Sequence, residues 1–292
     1  MLETLINPKK AERKPWEMFF IGALYAAISL FLADFLFLNN YVFEKHISIL
    51  IVCFTVIFSI PFFFYIIKLE EKKDTKLQSE RKILKEHGKA IAALLFLFLG
   101  YVVAFSLLFI AMPKNISNVN YKAQIETYCS INAKFNIEQC VSNLLTGNFG
   151  NIETKFPNIK EGMNRVSIIL SNNFYVLLFS LLFSFLFGAG ALFILAWNAS
   201  VIAAAVATFT KNTLISLPAG LARYLVHGLP EIASYFIVAL AGGIIGTAII
   251  RHEFGSEKFW NVLQDSLDLI ILALIVLIIS AFIEVFVTPL FF

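Results

Sequence analysis

Four polar or ionisable side chains stand out in the apolar second half of the chain: Asn198, Arg223, His227 and Glu231. The last three are spaced by four residues, so a helix would bring them close to one face. Ionisable groups within a membrane are unfavourable in hydrocarbon and typically mark binding or transport sites. The functional interpretation is therefore that these four residues form a polar site at membrane depth.

Helix capping is the competing interpretation of His227 and Glu231. In the sequence His227-Gly228-Leu229-Pro230-Glu231, Gly228 can end one helix and Pro230 suits the first turn of the next. The helix dipoles would then favour His227 in a last turn and Glu231 in a first turn. On this interpretation the chain stops and restarts at this point, and both residues are structural.

The sequence carries no pattern typical of catalysis. His227 and Glu231 lack the second His that zinc proteases place on the same helix face. A nucleophile with its base, a Gly-rich phosphate loop and a paired intramembrane Asp motif are also missing from the sequence. We therefore expect a protein that is not an enzyme and has no metal, cofactor or nucleic-acid partner.

The composition that surrounds these residues is typical of an integral membrane protein. Of 292 residues, 59% are hydrophobic and 15% are charged, and the mean hydropathy is +0.80. A helix needs roughly 20 apolar residues to cross a bilayer. Runs of about this length predict spans at Met18 to Leu38, Ile47 to Ile67, Ala90 to Met112, Phe174 to Trp197, Ile232 to Ile250 and Leu269 to Thr288.

Two of these runs contain one acid each. Asp34 and Glu284 lie four residues from the ends of their runs. Each could therefore reach the membrane interface, and we assign neither of them a proton-relay role.

The number of crossings depends on residues 198 to 226. The apolar piece Ser200 to Thr210 is too short to cross, at roughly 17 Å as a helix. Lys211 and Asn212 interrupt it, and Ser216 with Pro218 can begin a second piece. A broken span gives seven crossings and a re-entrant hairpin gives six. We favour seven, although a full crossing would tend to separate Asn198 from Glu231.

Basic residues indicate the orientation. Lys9, Lys10, Arg13 and Lys14 precede the first span, and residues 68–89 hold eight more. The positive-inside rule then predicts a multi-pass protein of the cell membrane with a cytoplasmic N-terminus. We divide the chain into an N-terminal tail and hairpin (1–68), a cytoplasmic basic loop (69–89) and a core (90–292) with an external loop (113–173).

The external loop is expected to form a small, partly helical cap. It contains Cys129 and Cys140, and an oxidising exterior would permit a disulfide between them. Two free thiols, or half of a metal site, are the alternatives. The third cysteine, Cys53, lies within a predicted span and is interpreted as a packing residue.

Glycines predict close helix packing at Gly188 and at Gly242, Gly243 and Gly246. Gly242 and Gly246 form a small-xxx-small face, which allows two helix backbones to approach each other closely. The partner helix could belong to the same chain or to another copy.

The chain resembles the stage II sporulation protein M family of integral membrane proteins. The resemblance covers about residues 90–292 and is carried by Asn172-Asn173, by Asn198 after Gly188 and Trp197, and by residues 227–231 leading into residues 241–246. The opening residues 7–17 are similar to archaeal-type members. The resemblance implies a polytopic membrane protein. It also implies that bacterial relatives act in engulfment as membrane partners of cell-wall-degrading enzymes. The extra N-terminal hairpin departs from them.

These observations predict an all-α polytopic transmembrane bundle with one broken or re-entrant segment and a small external cap. The leading functional hypothesis is a non-enzymatic scaffold or component of an envelope membrane complex. Its partners would be the lipid bilayer and either further copies of itself or other envelope proteins. The alternative is a transporter or channel with a polar site at residues 198–231.

Overall fold

A computed structural model describes residues 8–74, 80–132, 137–146, 158–187, 191–210, 213–250 and 256–291. Within these residues the secondary structure is helical, with no β-strand, so the predicted all-α fold class is confirmed. The α-helices are α1 (Pro8–Arg13), α2 (Glu17–Phe37), α3 (Ile47–Asp74), α4 (Glu80–Ala111), α5 (Lys114–Asn120), α6 (Lys122–Asn132), α7 (Ile137–Thr146), α8 (Ile159–Phe187), α9 (Ala191–Phe209), α10 (Leu217–Ile250), α11 (Glu257–Phe282) and α12 (Thr288–Phe291).

Among the described residues, seven helical segments are long and apolar enough to cross a membrane, which agrees with the preferred number of crossings. They are Glu17–Phe37, Glu44–Lys72, His87–Ala111, Ile159–Phe185, Ala191–Phe209, Leu214–Ile250 and Phe259–Phe291.

The predicted single span from Phe174 to Trp197 is wrong. Its two halves belong to different helices, because α8 ends at Phe187 and α9 begins at Ala191. Hydropathy does not detect this boundary, since both helices are apolar up to their ends. Gly188, which we expected to pack against another helix, lies outside the described residues.

The predicted stop and restart at Gly228 and Pro230 is also wrong. Helix α10 runs without interruption from Leu217 to Ile250 and contains Pro230 in its interior. A proline removes one helix hydrogen bond and disturbs the carbonyl groups of the preceding turn. The Ser280 hydroxyl of α11 donates to the His227 carbonyl over 2.9 Å and satisfies one of these groups. Membrane helices tolerate proline when a neighbour supplies such a partner.

Residues 198–226 consequently form neither a broken single span nor a re-entrant hairpin. Asn198 to Phe209 complete α9, and the chain then enters α10 through a short 3₁₀ turn at Leu214–Ser216. The piece from Ser200 looked too short to cross only because its helix begins nine residues earlier, at Ala191.

Glycines set the closest helix contacts, and these contacts lie within the chain. A Cβ atom added at Gly242 would lie 2.6 Å from the Leu181 carbonyl oxygen of α8, and one at Gly246 would lie 2.5 Å from that of Phe185. A Cβ at Gly243 would meet the Ile67 side chain of α3 at 2.6 Å. The small-residue face of α10 is therefore occupied by α8 and α3.

Helices α2 and α4 form an equally close pair. A Cβ at Gly22 of α2 would overlap the Leu97 carbonyl of α4, and a Cβ at Gly100 would overlap the Phe19 carbonyl of α2. Both glycines thus allow direct contact between the backbones of two spans.

Polar side chains of α5 and α6 anchor the cap to the spans. The Tyr121 hydroxyl donates to the Phe105 carbonyl over 3.0 Å. The Gln124 amide donates to the Ser48 carbonyl over 3.1 Å and to the Ser200 hydroxyl over 3.2 Å. The Asn120 amide donates to the Asp34 carboxylate over 3.1 Å. The cap therefore reaches into the bundle and contacts α2, α3, α4 and α9.

We predict that Gly100→Ala lowers the free energy of unfolding by about 1–3 kcal/mol, because its methyl group has to displace backbone. Gly88→Ala on the same helix is the matched control, since no atom lies within 4 Å of its added Cβ. This control should be neutral, or stabilising by about 0.5–1 kcal/mol, through helix propensity. Thermal unfolding in mild detergent measures both variants. Equal melting temperatures would contradict the close packing of α2 against α4.

Candidate functional site: an intramembrane polar cavity

A cavity of about 1200 Å³ lies among α8, α9, α10 and the C-terminal end of the bundle, with cap helix α6 on one side. Its size is at the upper end of that of small-molecule sites in proteins. The amide, aromatic-hydroxyl, imidazole and carboxyl groups that line it belong to Asn172, Asn173, Asn198, Tyr128, Tyr224, His227, Glu231 and Glu284. The remaining walls are largely aliphatic and aromatic.

Helix α10 brings His227 and Glu231 to the cavity. Because the helix is continuous through Pro230, the two residues lie one turn apart on the same face. The Tyr235 hydroxyl, one further turn along, donates to Glu231 Oε1 over 2.9 Å. Asn173 of α8 lines the same cavity. The Tyr235 hydroxyl is electrically neutral, so it orients the carboxyl group without compensating its charge.

Asn198 faces the same cavity from α9. Its amide nitrogen donates to the Ile194 carbonyl of its own helix over 2.8 Å, which fixes the side chain. We expected a full crossing to separate Asn198 from Glu231, and this expectation is wrong. The two residues occupy middle turns of two consecutive, contacting helices, and both line the cavity.

Arg223 differs from the other three residues predicted to form the site, because it does not line the cavity. Its guanidinium group lies 4.8 Å from the centre of the Phe209 ring, a cation–π contact between α10 and the end of α9. The described residues that line the cavity include no Lys or Arg.

Glu284 is a cavity residue that sequence reasoning assigned to the interface. It lies in a π-helical turn, Ile283–Val287, between α11 and α12. Such turns are rare and are frequently found at functional sites. Glu284 is close enough to Glu231 for the two carboxyl groups to interact electrostatically. Its presence inside an apolar run was the available signal. The helical structure continues for seven residues beyond Glu284, to Phe291, and the Glu284 side chain is half-buried at the cavity.

A hydrogen bond connects His227 to the chain segment that follows Glu284. The His227 Nδ1 atom lies 3.2 Å from Thr288 Oγ1. Together with the bond from Ser280 to the His227 carbonyl, this contact fixes α10 against the C-terminal end of the bundle. His227 is thus held on both its ring and its backbone, and the ring borders the cavity.

Cap helix α6 forms one wall of the cavity. Thr127, Tyr128, Ser130 and Ile131 line it, opposite residues of α10 such as Tyr224. In the structure Cys129, in the middle of this stretch, is bonded to Cys140 of α7, with 5.8 Å between the Cα atoms. The disulfide therefore fixes α7 to the helix that covers the cavity.

The described residues contain no group of three or more His, Cys, Asp or Glu side chains arranged to hold a metal ion. The cavity groups can instead accept and donate hydrogen bonds, and its two carboxyl groups can act as counter-ions.

The helices and the cavity define a polytopic helical membrane protein with a polar site inside the bundle. Residues 90–289 match the profile of the family described as Stage II sporulation protein M, and the chain belongs to this family. The resemblance seen in the sequence is thereby confirmed, while the archaeal-type character of the N-terminus remains a prediction. The matched range includes the described lining residues of the cavity except Ile49. No curated protein and no solved structure matches the chain.

We predict that the protein, denatured without reductant, reacts with one equivalent of maleimide, because Cys53 is free and the other two cysteines are bonded. After reduction it should react with three. Loss of the bridge in Cys129→Ser should lower the free energy of unfolding by about 2–4 kcal/mol. Mass spectrometry of the labelled protein gives the count, and three labels without reduction would contradict the bridge.

Proposed function

We propose that this protein is a non-enzymatic transporter or channel that binds a polar solute in the intramembrane cavity. The observation that carries the proposal is the grouping of Asn173, Asn198, His227, Glu231 and Glu284 in one large cavity inside the bundle. We further propose that it resides in the cell membrane with its N-terminus in the cytoplasm, which puts the cap outside.

The energetics of the carboxyl groups support this proposal. Placing an ionisable group inside an apolar bundle is unfavourable unless it is paired or solvated. Among the described residues, neither Glu231 nor Glu284 forms an ion pair. If these two residues served only packing, apolar side chains of similar size would stabilise the bundle more. The two carboxyl groups therefore support the presence of a ligand or water in the cavity.

The glycine faces lend less support to the scaffold hypothesis than their sequence pattern suggested. Gly242, Gly243 and Gly246 contact α8 and α3 of the same chain and are not available to another copy.

One other observation favours a scaffold as the second candidate function. Helices α6 and α7 form the walls of an open cleft of about 860 Å³, which is lined by residues such as Glu126, Thr127 and Val141. This cleft could receive a segment of another envelope protein. Crosslinking in membranes from Glu126→Cys would capture such a partner, and capture of none would count against a scaffold.

Thiol accessibility tests the transporter proposal. In a Cys53→Ala background we predict that Asn198→Cys reacts with a membrane-impermeant methanethiosulfonate reagent at least ten times faster than Ile271→Cys. Ile271 is the control because it lies in the middle of α11 with 55% of its side chain exposed on the outer face of the bundle. A cavity that holds water exposes the first thiol, whereas lipid covers the second.

Adding the reagent to one side of the membrane at a time makes this experiment more decisive. A transporter should expose Asn198→Cys to reagent from each side of the membrane in turn, and saturating solute should change the rate. If Asn198→Cys reacted no faster than Ile271→Cys from either side, the proposed function would be wrong.

A further inference from the structure

We infer that the cavity binds an amphipathic organic cation, that is, an amine or onium group attached to an apolar, largely aromatic body. This inference rests on the proposed function and specifies its class of solute. The charged lining residues indicate the sign of the ligand's charge, and the apolar lining residues indicate the nature of its body.

The charged groups select the sign of the ligand. Glu231 and Glu284 bring two carboxyl groups to one cavity, and no Lys or Arg lines it among the described residues. The nearby cation Arg223 is engaged with the Phe209 ring. An anionic solute would find no Lys or Arg counter-ion among the described lining residues, whereas a cation would stabilise the ionised form of both carboxyl groups.

The neutral partner of Glu231 strengthens this selection. Tyr235 holds the carboxyl group by a hydrogen bond and leaves its charge uncompensated. A cationic head placed between Glu231 and Glu284 would make charge-assisted contacts with both, and such contacts are the stronger kind of hydrogen bond or ion pair.

The remaining walls select the body of the ligand. Aromatic side chains of α8 and α9 line the cavity, and the rings of Phe193 and Trp197 are stacked with 6.4 Å between their centres. Aromatic faces attract cations and also bury apolar groups. The aliphatic lining comes from residues such as Ile169, Val176 and Val201.

The size of the cavity favours an organic ligand over an inorganic ion. A metal cation needs a tight shell of oxygen atoms, whereas this cavity has a volume of about 1200 Å³ and largely apolar walls. The volume fits a molecule with several rings. An anionic lipid, the other amphipathic candidate, would bring its phosphate to the two carboxyl groups.

Two ions of the same shape and opposite charge test this inference. Tetraphenylphosphonium and tetraphenylborate present the same four phenyl rings, so a difference in their binding reports the charge once the signal from empty nanodiscs of the same lipid is subtracted. Binding to the full chain in nanodiscs can be followed by quenching of Trp197, with Trp16→Phe and Trp260→Phe removing the other two tryptophans. We expect saturable binding of the phosphonium and at least tenfold weaker binding of the borate.

Two neutralising variants localise the effect. Glu231→Gln and Glu284→Gln should each weaken phosphonium binding by about tenfold, which corresponds to about 1.4 kcal/mol. Asp268→Asn is the matched control, because Asp268 is an exposed carboxylate on α11 that does not line the cavity. It should leave the affinity unchanged.

The outcomes separate this inference from the proposed function. Equal binding of both ions, stronger binding of the borate, or binding of neither would overturn the inference. If thiols at position 198 still reacted quickly, the proposed function would stand with another solute. If those thiols were also unreactive, the proposed function would fail as well. The comparison of the two ions on the chain that keeps Glu231 and Glu284 remains decisive even if a Gln variant does not fold.

Discussion

The close packing of α10 against α8 is the contact on which the position of the cavity depends. Gly242 and Gly246 let the α8 backbone approach, and the Ser184 hydroxyl of α8 donates to the Ala239 carbonyl of α10. The two glycine contacts, Gly242 with Leu181 and Gly246 with Phe185, rise together along both helices, so α8 and α10 run in the same direction. Continued over several turns, this register brings Asn173 and Glu231 to the same cavity. A bulkier residue at either glycine would move the amide away from the carboxyl group.

The C-terminal part of the chain closes the site through polar contacts with α10. The carbonyl next to the Pro230 turn is satisfied by Ser280, and the His227 ring meets Thr288. The π-helical turn between these two contacts brings Glu284 to the cavity. The proline that looked like a helix break in the sequence therefore lies beside the hydrogen bonds that join α10 to the C-terminal part of the chain.

Much of this arrangement could be predicted from the sequence, and the errors have physical reasons. Hydropathy found most of the spans, but it cannot locate a boundary between two apolar helices such as α8 and α9. Spacing by four placed His227 and Glu231 together. It failed for Arg223, because eight residues at about 100° each leave Arg223 roughly 80° away from the face of Glu231. Local propensity predicted a break at Pro230, since the compensating Ser280 is far away in the sequence. Glu284 is also far from Glu231 in the sequence, so their common position at the cavity could not be predicted from local patterns.

The central claim is that Glu231 and Glu284 share one cavity, and a double-mutant cycle on thermal stability tests it most directly. The unfolding free energies of the original chain, Glu231→Gln, Glu284→Gln and the double variant would be compared at one pH at which both groups are ionised. Removing either carboxylate relieves the same repulsion, so the double variant should gain less than the sum of the two single variants. We predict a coupling energy of about 0.5–3 kcal/mol. Additivity within about 0.3 kcal/mol would contradict a shared cavity.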